Sequence, residues 1–161
     1  MAGKKIELGH SGRTVAANVK RLRGSAGLTY TQLAEKLEND RGISPLAVRR
    51  IEDGTRRVDA DDLVAIAVAL GVSPATLLMP HTNIEGTKTG LDDLVNPPTG
   101  VDEPLSALRL WKWLGVEEPL PGDADVLGFL SRARPHWVPL SRRDLQVLLP
   151  GESDGSDGYD Q

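Results

Sequence analysis

A chain of 161 residues with no cysteine has room for one domain, or for a small domain with an appendage, and it excludes disulfides and thiolate chemistry. Charged residues make up 26% and apolar residues 39%, so at least part of the chain should fold. The formal net charge of −4 conceals an asymmetry: Lys4 to Arg57 carries 12 basic and 6 acidic residues, whereas Val58 to Gln161 carries 7 basic and 17 acidic. The opening "MAGKKIELGHSGRT" has no apolar leader core, and no run is long enough to span a bilayer. These features predict a cytoplasmic protein with no membrane attachment.

Residues 1–13 read as an N-terminal arm, and residues 14–80 as five short helices. In "TVAANVKRLRGSAG", Val15, Val19 and Leu22 recur at helical spacing, and Gly24 and Gly27 end the pattern. In "LTYTQLAEKLEND", Thr29 is placed to cap, and Leu33, Ala34 and Leu37 form a stripe. "GISPLAVRRIEDG" offers Ser44 as N-cap, Pro45 at the first helical position and Gly54 as the stop. "DADDLVAIAVALG" puts aspartates at the positive helix end, offers Leu63, Ile66 and Leu70 for burial, and stops at Gly71. "SPATLLMP" repeats the Ser-Pro start and closes at Pro80.

Residues 81–104 are rich in Gly, Pro, Thr and Asp and read as a linker. The next part, 105–149, reads as a small helical C-terminal region: "LSALRLWKWLG" as a helix, then the turn "EEPLPGD", then shorter helices in "DADVLGFLSRARPHWV" and "SRRDLQVLL". Residues 150–161 read as a disordered acidic tail. The expected fold class is all-α: a five-helix domain followed by a small, mostly helical or irregular region.

The third helix explains why an acidic chain concentrates arginine in "SPLAVRRIEDGTRRVD". At roughly 100° per residue, Ala47, Val48 and Ile51 share one face, and Leu46, Arg49 and Arg50 share the opposite face beside Pro45. Small Ala47, opposite small Ala34 on the preceding helix, allows a close crossing. Such a crossed pair is a helix-turn-helix, whose second helix enters the DNA major groove by its N-terminal residues. An arginine fork can bond guanine O6 and N7 together. Arg56 and Arg57, just past the helix, then lie near phosphates.

In order and spacing, "LTYTQLAEKL", "ISPLAVRRIEDG" and "DDLVAIAVALGVSP" resemble the Cro/CI-type helix-turn-helix regulators, the xenobiotic-response-element family, in its actinobacterial or actinophage-like form. The resemblance covers residues 14–80 and implies a lambda-repressor-like domain. It implies phosphate contacts at Tyr30, Thr31, Gln32 and Ser44. Its base readers map to Pro45, Leu46, Arg49 and Arg50. It also implies a structural pair between Arg23 and Glu52. One departure stands out: "ENDR" (38–41) separates Leu37 from Gly42, where the family has a glycine almost at once. About one helical turn is thereby expected to lengthen the second helix, shifting the base-contact register.

The resulting expectation is a sequence-specific transcription regulator, a repressor acting as a homodimer on a double-stranded DNA operator. Leu110, Trp111, Trp113, Leu114, Phe129 and Trp137 are the remaining large apolar residues and are assigned to a dimer or partner surface. The competing expectation is a protein-interaction module, an antitoxin or anti-activator, whose C-terminal half holds a protein partner; the acidic balance of residues 81–161 suits a basic one. A self-cleaving repressor would need a β-rich peptidase domain that these residues cannot supply. No nucleophile–base pairing or phosphate-cradling glycine loop is visible, so no enzyme activity and no cofactor is expected. His10, His81 and His136 are too scattered for a metal site.

Overall fold

The computed structural model describes residues 7–38 and 42–139. Among these, the elements are α1 (His10–Ser25), α2 (Tyr30–Leu37), α3 (Pro45–Glu52), α4 (Ala60–Leu70), α5 (Pro74–Leu78), β1 (Leu94–Val95), β2 (Leu105–Ser106), α6 (Ala107–Leu114) and α7 (Val126–Ala133). Two compact units result, Met1–Trp111 and Lys112–Gln161. The first carries the five-helix, lambda-repressor-like arrangement, so the all-α expectation holds apart from the minor ribbon of β1 and β2.

Helix starts follow from side chains that satisfy the first free amides. Thr29 and Gln32 form a reciprocal capping box on α2: Thr29 Oγ1 accepts from the Gln32 amide at 3.2 Å, and Gln32 Oε1 accepts from the Thr29 amide at 2.9 Å. Ser44 caps α3 and Ser73 caps α5, each followed by proline in the first turn. Asp59 caps α4 through the Asp62 amide at 2.8 Å. Each such cap contributes about 1 kcal/mol. At the other end of α4, Gly71 adopts φ +68°, a left-handed conformation that a Cβ would disfavour.

The core of the first unit gathers Val15 and Val19 from α1, Leu33 and Leu37 from α2, Val48 and Ile51 from α3, Ile66 from α4 and Leu77 from α5. Leu63 and Leu70, expected to be buried with Ile66, pack against this cluster but stay partly exposed; Ala65 and Ala67 take the interior. One buried polar group ties the two ends of the domain. Asn18, 1% exposed, donates its amide to the carbonyls of Leu77 at 3.0 Å and Met79 at 2.7 Å, fastening the end of α5 to α1.

Three boundaries differ from expectation. The arm expected over 1–13 is helical from His10 onward; residues 1–6 lie outside the described residues. The early start is supported by Thr99, whose hydroxyl accepts from the Ser11 amide at 3.2 Å while its own amide donates to Ser11 Oγ at 2.9 Å. The linker expected over 81–104 is not an open connection. It carries β1, paired antiparallel with β2, buries Val95 completely, and belongs to the same compact unit as α1. Its Gly, Pro and Asp content supplies turns rather than slack: Asp93 Oδ2, for example, accepts from the Gly90 amide at 2.7 Å. Finally, the described extent of α2 falls short of the extra turn expected from "ENDR". It ends at Leu37 with Glu38 as its cap, and the Gly42 amide returns to the Leu37 carbonyl at 3.2 Å. Residues 39–41 lie outside the described residues.

In the second unit, Asp125 caps α7 through the Gly128 amide at 2.8 Å. The Arg134 guanidinium donates to the Val116 carbonyl at 3.0 and 3.1 Å, and Lys112 pairs with Glu118. The helix expected in "SRRDLQVLL" and the acidic tail fall outside the described residues.

Candidate nucleic-acid interface

The eight residues of α3 divide cleanly by burial. Val48 and Ile51 are 1% and 0% exposed and anchor the helix, with Ala47 partly buried beside them. Pro45, Leu46, Arg49 and Arg50 are all exposed on the other side. Arg49 Nε lies 3.6 Å from Asp53 Oδ2, one helical turn on, but both side chains are more than half exposed, so solvent screens the pair. The backbone of Arg50 has a separate duty. Its carbonyl accepts from the amides of Thr55 at 2.9 Å and Arg56 at 3.0 Å, and from the Thr55 hydroxyl at 3.2 Å. That bond set shapes the turn carrying Arg56 and Arg57.

The pitch of α3 is held from within. Arg23, at the end of α1, donates Nε to Glu52 Oε1 at 2.5 Å and Nη2 to Oε2 at 2.9 Å, while Nη1 donates to the Leu28 carbonyl at 2.7 Å. Its guanidinium also lies 4.2 Å from the centroid of the Tyr30 ring. The side chain of Glu52 is 1% exposed and that of Arg23 15%. Hydrogen bonding to Glu52 raises the pKa of Arg23, against the opposing effect of burial. One side chain therefore links the end of α1, the α1–α2 turn, the first residue of α2 and the last residue of α3.

The residues assigned to phosphate contact are differently placed. Thr31 is exposed at the start of α2. Gln32 is exposed too, with its oxygen used in the capping box. Ser44 likewise spends its hydroxyl oxygen on the cap of α3, accepting from the Ala47 amide at 3.2 Å. Tyr30 is half-buried under Arg23. Arg57 is exposed and donates Nη2 to the Glu7 carbonyl at 3.1 Å. Arg56 is turned inward: its Nη2 lies 2.8 Å from Oδ2 of Asp62, whose side chain is 2% exposed. Sequence reasoning missed this partner because the aspartates opening α4 read as helix-dipole residues. The available signal was a third-position aspartate behind an Asp59 cap, six residues after an arginine.

Residues 14–78 match the family model of the helix-turn-helix domain. No curated protein and no solved structure matches the chain. In this helix-turn-helix domain, α2 and α3 form the crossed pair, and α1, α4 and α5 close the core behind them. Such domains are DNA-binding regulators as a class.

Of the six residues assigned to a dimer or partner surface, Leu110 does not qualify: it is 2% exposed and therefore interior. Trp113, Leu114 and Phe129 are half-buried, whereas Trp111 and Trp137 are 45% and 72% exposed. Among the described residues no group of three His, Cys, Asp or Glu is arranged to hold a metal ion. No helix among them is long and apolar enough to cross a membrane.

Proposed function

We propose that the protein is a sequence-specific regulator of transcription, a repressor of the Cro/CI type, that binds double-stranded DNA as a homodimer. The observation that carries this reading is the division of α3: Val48 and Ile51 seated in the core, Arg49 and Arg50 exposed on the far side, and Glu52 locked to Arg23 at its end. A helix held this firmly offers its outer face as a rigid reader, with Arg49 and Arg50 for guanine edges and Leu46 for a thymine methyl. Thr31, Gln32, Ser44 and Arg57 flank that face as phosphate contacts. Two copies on a palindrome place their readers ~34 Å apart, one turn of DNA. Apolar surface for self-association is offered by Trp111 and by Val64 and Val68, which are 51% and 69% exposed and four residues apart on α4. Selection of bound duplexes from a random pool by the full chain tests the reading. The expected result is a palindromic motif with salt-dependent affinity; recovery of no enriched motif would sink it.

A second reading is favoured by one observation. Leu127 and Trp137 of the second unit are 47% and 72% exposed, in a part of the chain rich in acidic residues. This surface fits a basic protein partner, so the second unit serves as an interaction module, as in an antitoxin or anti-activator. Stoichiometric co-purification of one protein with the wild type, lost in Trp137→Ser, is the expected outcome of that reading.

A further inference from the structure

Two cavities of the first unit adjoin at Pro80 and His81, just after α5. The first, about 350 Å³, is lined along α1 by His10, Arg13, Asn18 and Arg21 and across from it by His81. Among the described residues no carboxylate lines it. The second, about 520 Å³, is lined by Met79, Leu91, Leu108 and Trp111, with Lys88 as its charged residue. Both volumes lie in the ~300–1,000 Å³ range of small-molecule sites.

Helix geometry separates the basic cavity from the DNA-reading face. Arg21 and Arg23 are two positions apart, roughly 200° around α1. Arg23 is committed to Glu52 of α3, so Arg21 looks the other way. Arg21 is also held in place: Nε and Nη2 donate to Asn18 Oδ1 at 3.3 and 3.2 Å, and Asn18 is buried and bonded to the end of α5. A cation positioned in this way loses less side-chain freedom when it meets a ligand.

The electrostatics agree with the shape. His81 has its pKa lowered from 6.5, first by desolvation and then by the charges of Arg21 and Lys88. A site where neighbouring cations oppose protonation is a site that favours an anion. The apolar cavity beside it leaves Leu91 68% and Trp111 45% exposed. Thr89 Oγ1, on a residue that lines this cavity, is a buried side-chain oxygen with no hydrogen-bond partner among the described residues. Such an orphan calls for a partner.

We propose that this corner binds a small amphipathic anion, with its phosphate or carboxylate against His10, Arg13 and Arg21 and its apolar body across Pro80 onto Met79, Leu91 and Trp111. Guanidinium forks suit either oxyanion. The apolar body covers Leu91 and Trp111, and a polar atom on it meets Thr89 Oγ1. The proposal does not rest on DNA binding, because none of these side chains is among those assigned to DNA contact.

The test is calorimetric titration of the full chain with monomeric hexyl phosphate, inorganic phosphate and hexanol. Hexyl phosphate is expected to bind one to one and at least about tenfold tighter than either fragment, tenfold being ~1.4 kcal/mol. Arg13→Gln, at an exposed position on α1, should weaken both phosphates about tenfold. Leu91→Ser should weaken hexyl phosphate and leave inorganic phosphate unchanged. By proton resonance the His81 titration midpoint should rise in the complex, since a bound anion favours the charged imidazole. Arg50→Ala should bind hexyl phosphate like the wild type. Absence of saturable binding, equal affinities in wild type and Arg13→Gln, or loss of binding in Arg50→Ala overturns the proposal. So does an Arg13→Gln variant that weakens only duplex DNA, which would make the cavity part of the DNA contact.

Discussion

Arg23 and Glu52, 29 residues apart in the chain, meet as a two-pronged ion pair with N–O distances of 2.5 and 2.9 Å. The pair joins α1 to α3, and its carboxylate is fully enclosed. A buried pair is a weak source of net stability but costly to break, because the surviving charge is left without its partner. Glu52→Ala should therefore cost ~3–5 kcal/mol of folding free energy. Denaturant melts read this directly: an unchanged midpoint would mean that Arg23 finds full compensation elsewhere. The double variant Arg23→Met with Glu52→Leu should recover much of the loss, since it removes both charges together.

Arg49 and Arg50 should carry base preference. Arg49→Ala or Arg50→Ala is expected to lose ~1–3 kcal/mol on the best duplex and to relax preference at the contacted positions. Arg57→Ala should weaken all sequences about equally and reduce the slope of log affinity against log salt by roughly one. Identical specificity profiles for the two kinds of variant would refute this division of labour.

Arg56 should behave unlike Arg57. Its guanidinium supports the buried carboxylate of Asp62, so Arg56→Ala should destabilise the domain by ~1–3 kcal/mol before any effect on DNA is counted. Thermal melts of the Arg56→Ala and Arg57→Ala proteins make the comparison. If both melt like the wild type, Arg56 is free to serve as a phosphate contact after all.

Cutting the chain after Pro80 should destabilise the helix-turn-helix domain rather than release it intact. The cut removes Thr99, which holds the first turn of α1, and the segment that buries Val95 in the same compact unit. A fragment of residues 1–80 is expected to melt several degrees below a fragment of residues 1–111, as ~1 kcal/mol moves a small domain by ~4–8 °C. Equal melting of the two fragments would show that residues 81–111 contribute nothing to the fold.

The sequence by itself determined the elements whose causes are local. Ser44 followed by Pro45, the Thr29 cap and the Gly71 stop each act within a few residues of backbone, so the starts of α2 and α3 and the end of α4 were legible from residue types alone. The outward set of α3, Leu46 with Arg49 and Arg50, was legible for the same reason: helical periodicity alone separates it from Val48 and Ile51. Only the tertiary structure decided what depends on partners distant in the chain. Thr99, distant in sequence but hydrogen-bonded to Ser11, supports the start of α1 at His10. Asp62 drew Arg56 inward. Asn18 tied α1 to the carbonyls that end α5, and a stretch composed like a linker was held down through Val95 and Thr99. Periodicity and capping report the next turn of backbone, whereas a buried hydrogen bond or ion pair between residues tens of positions apart exists only once the chain has closed around it.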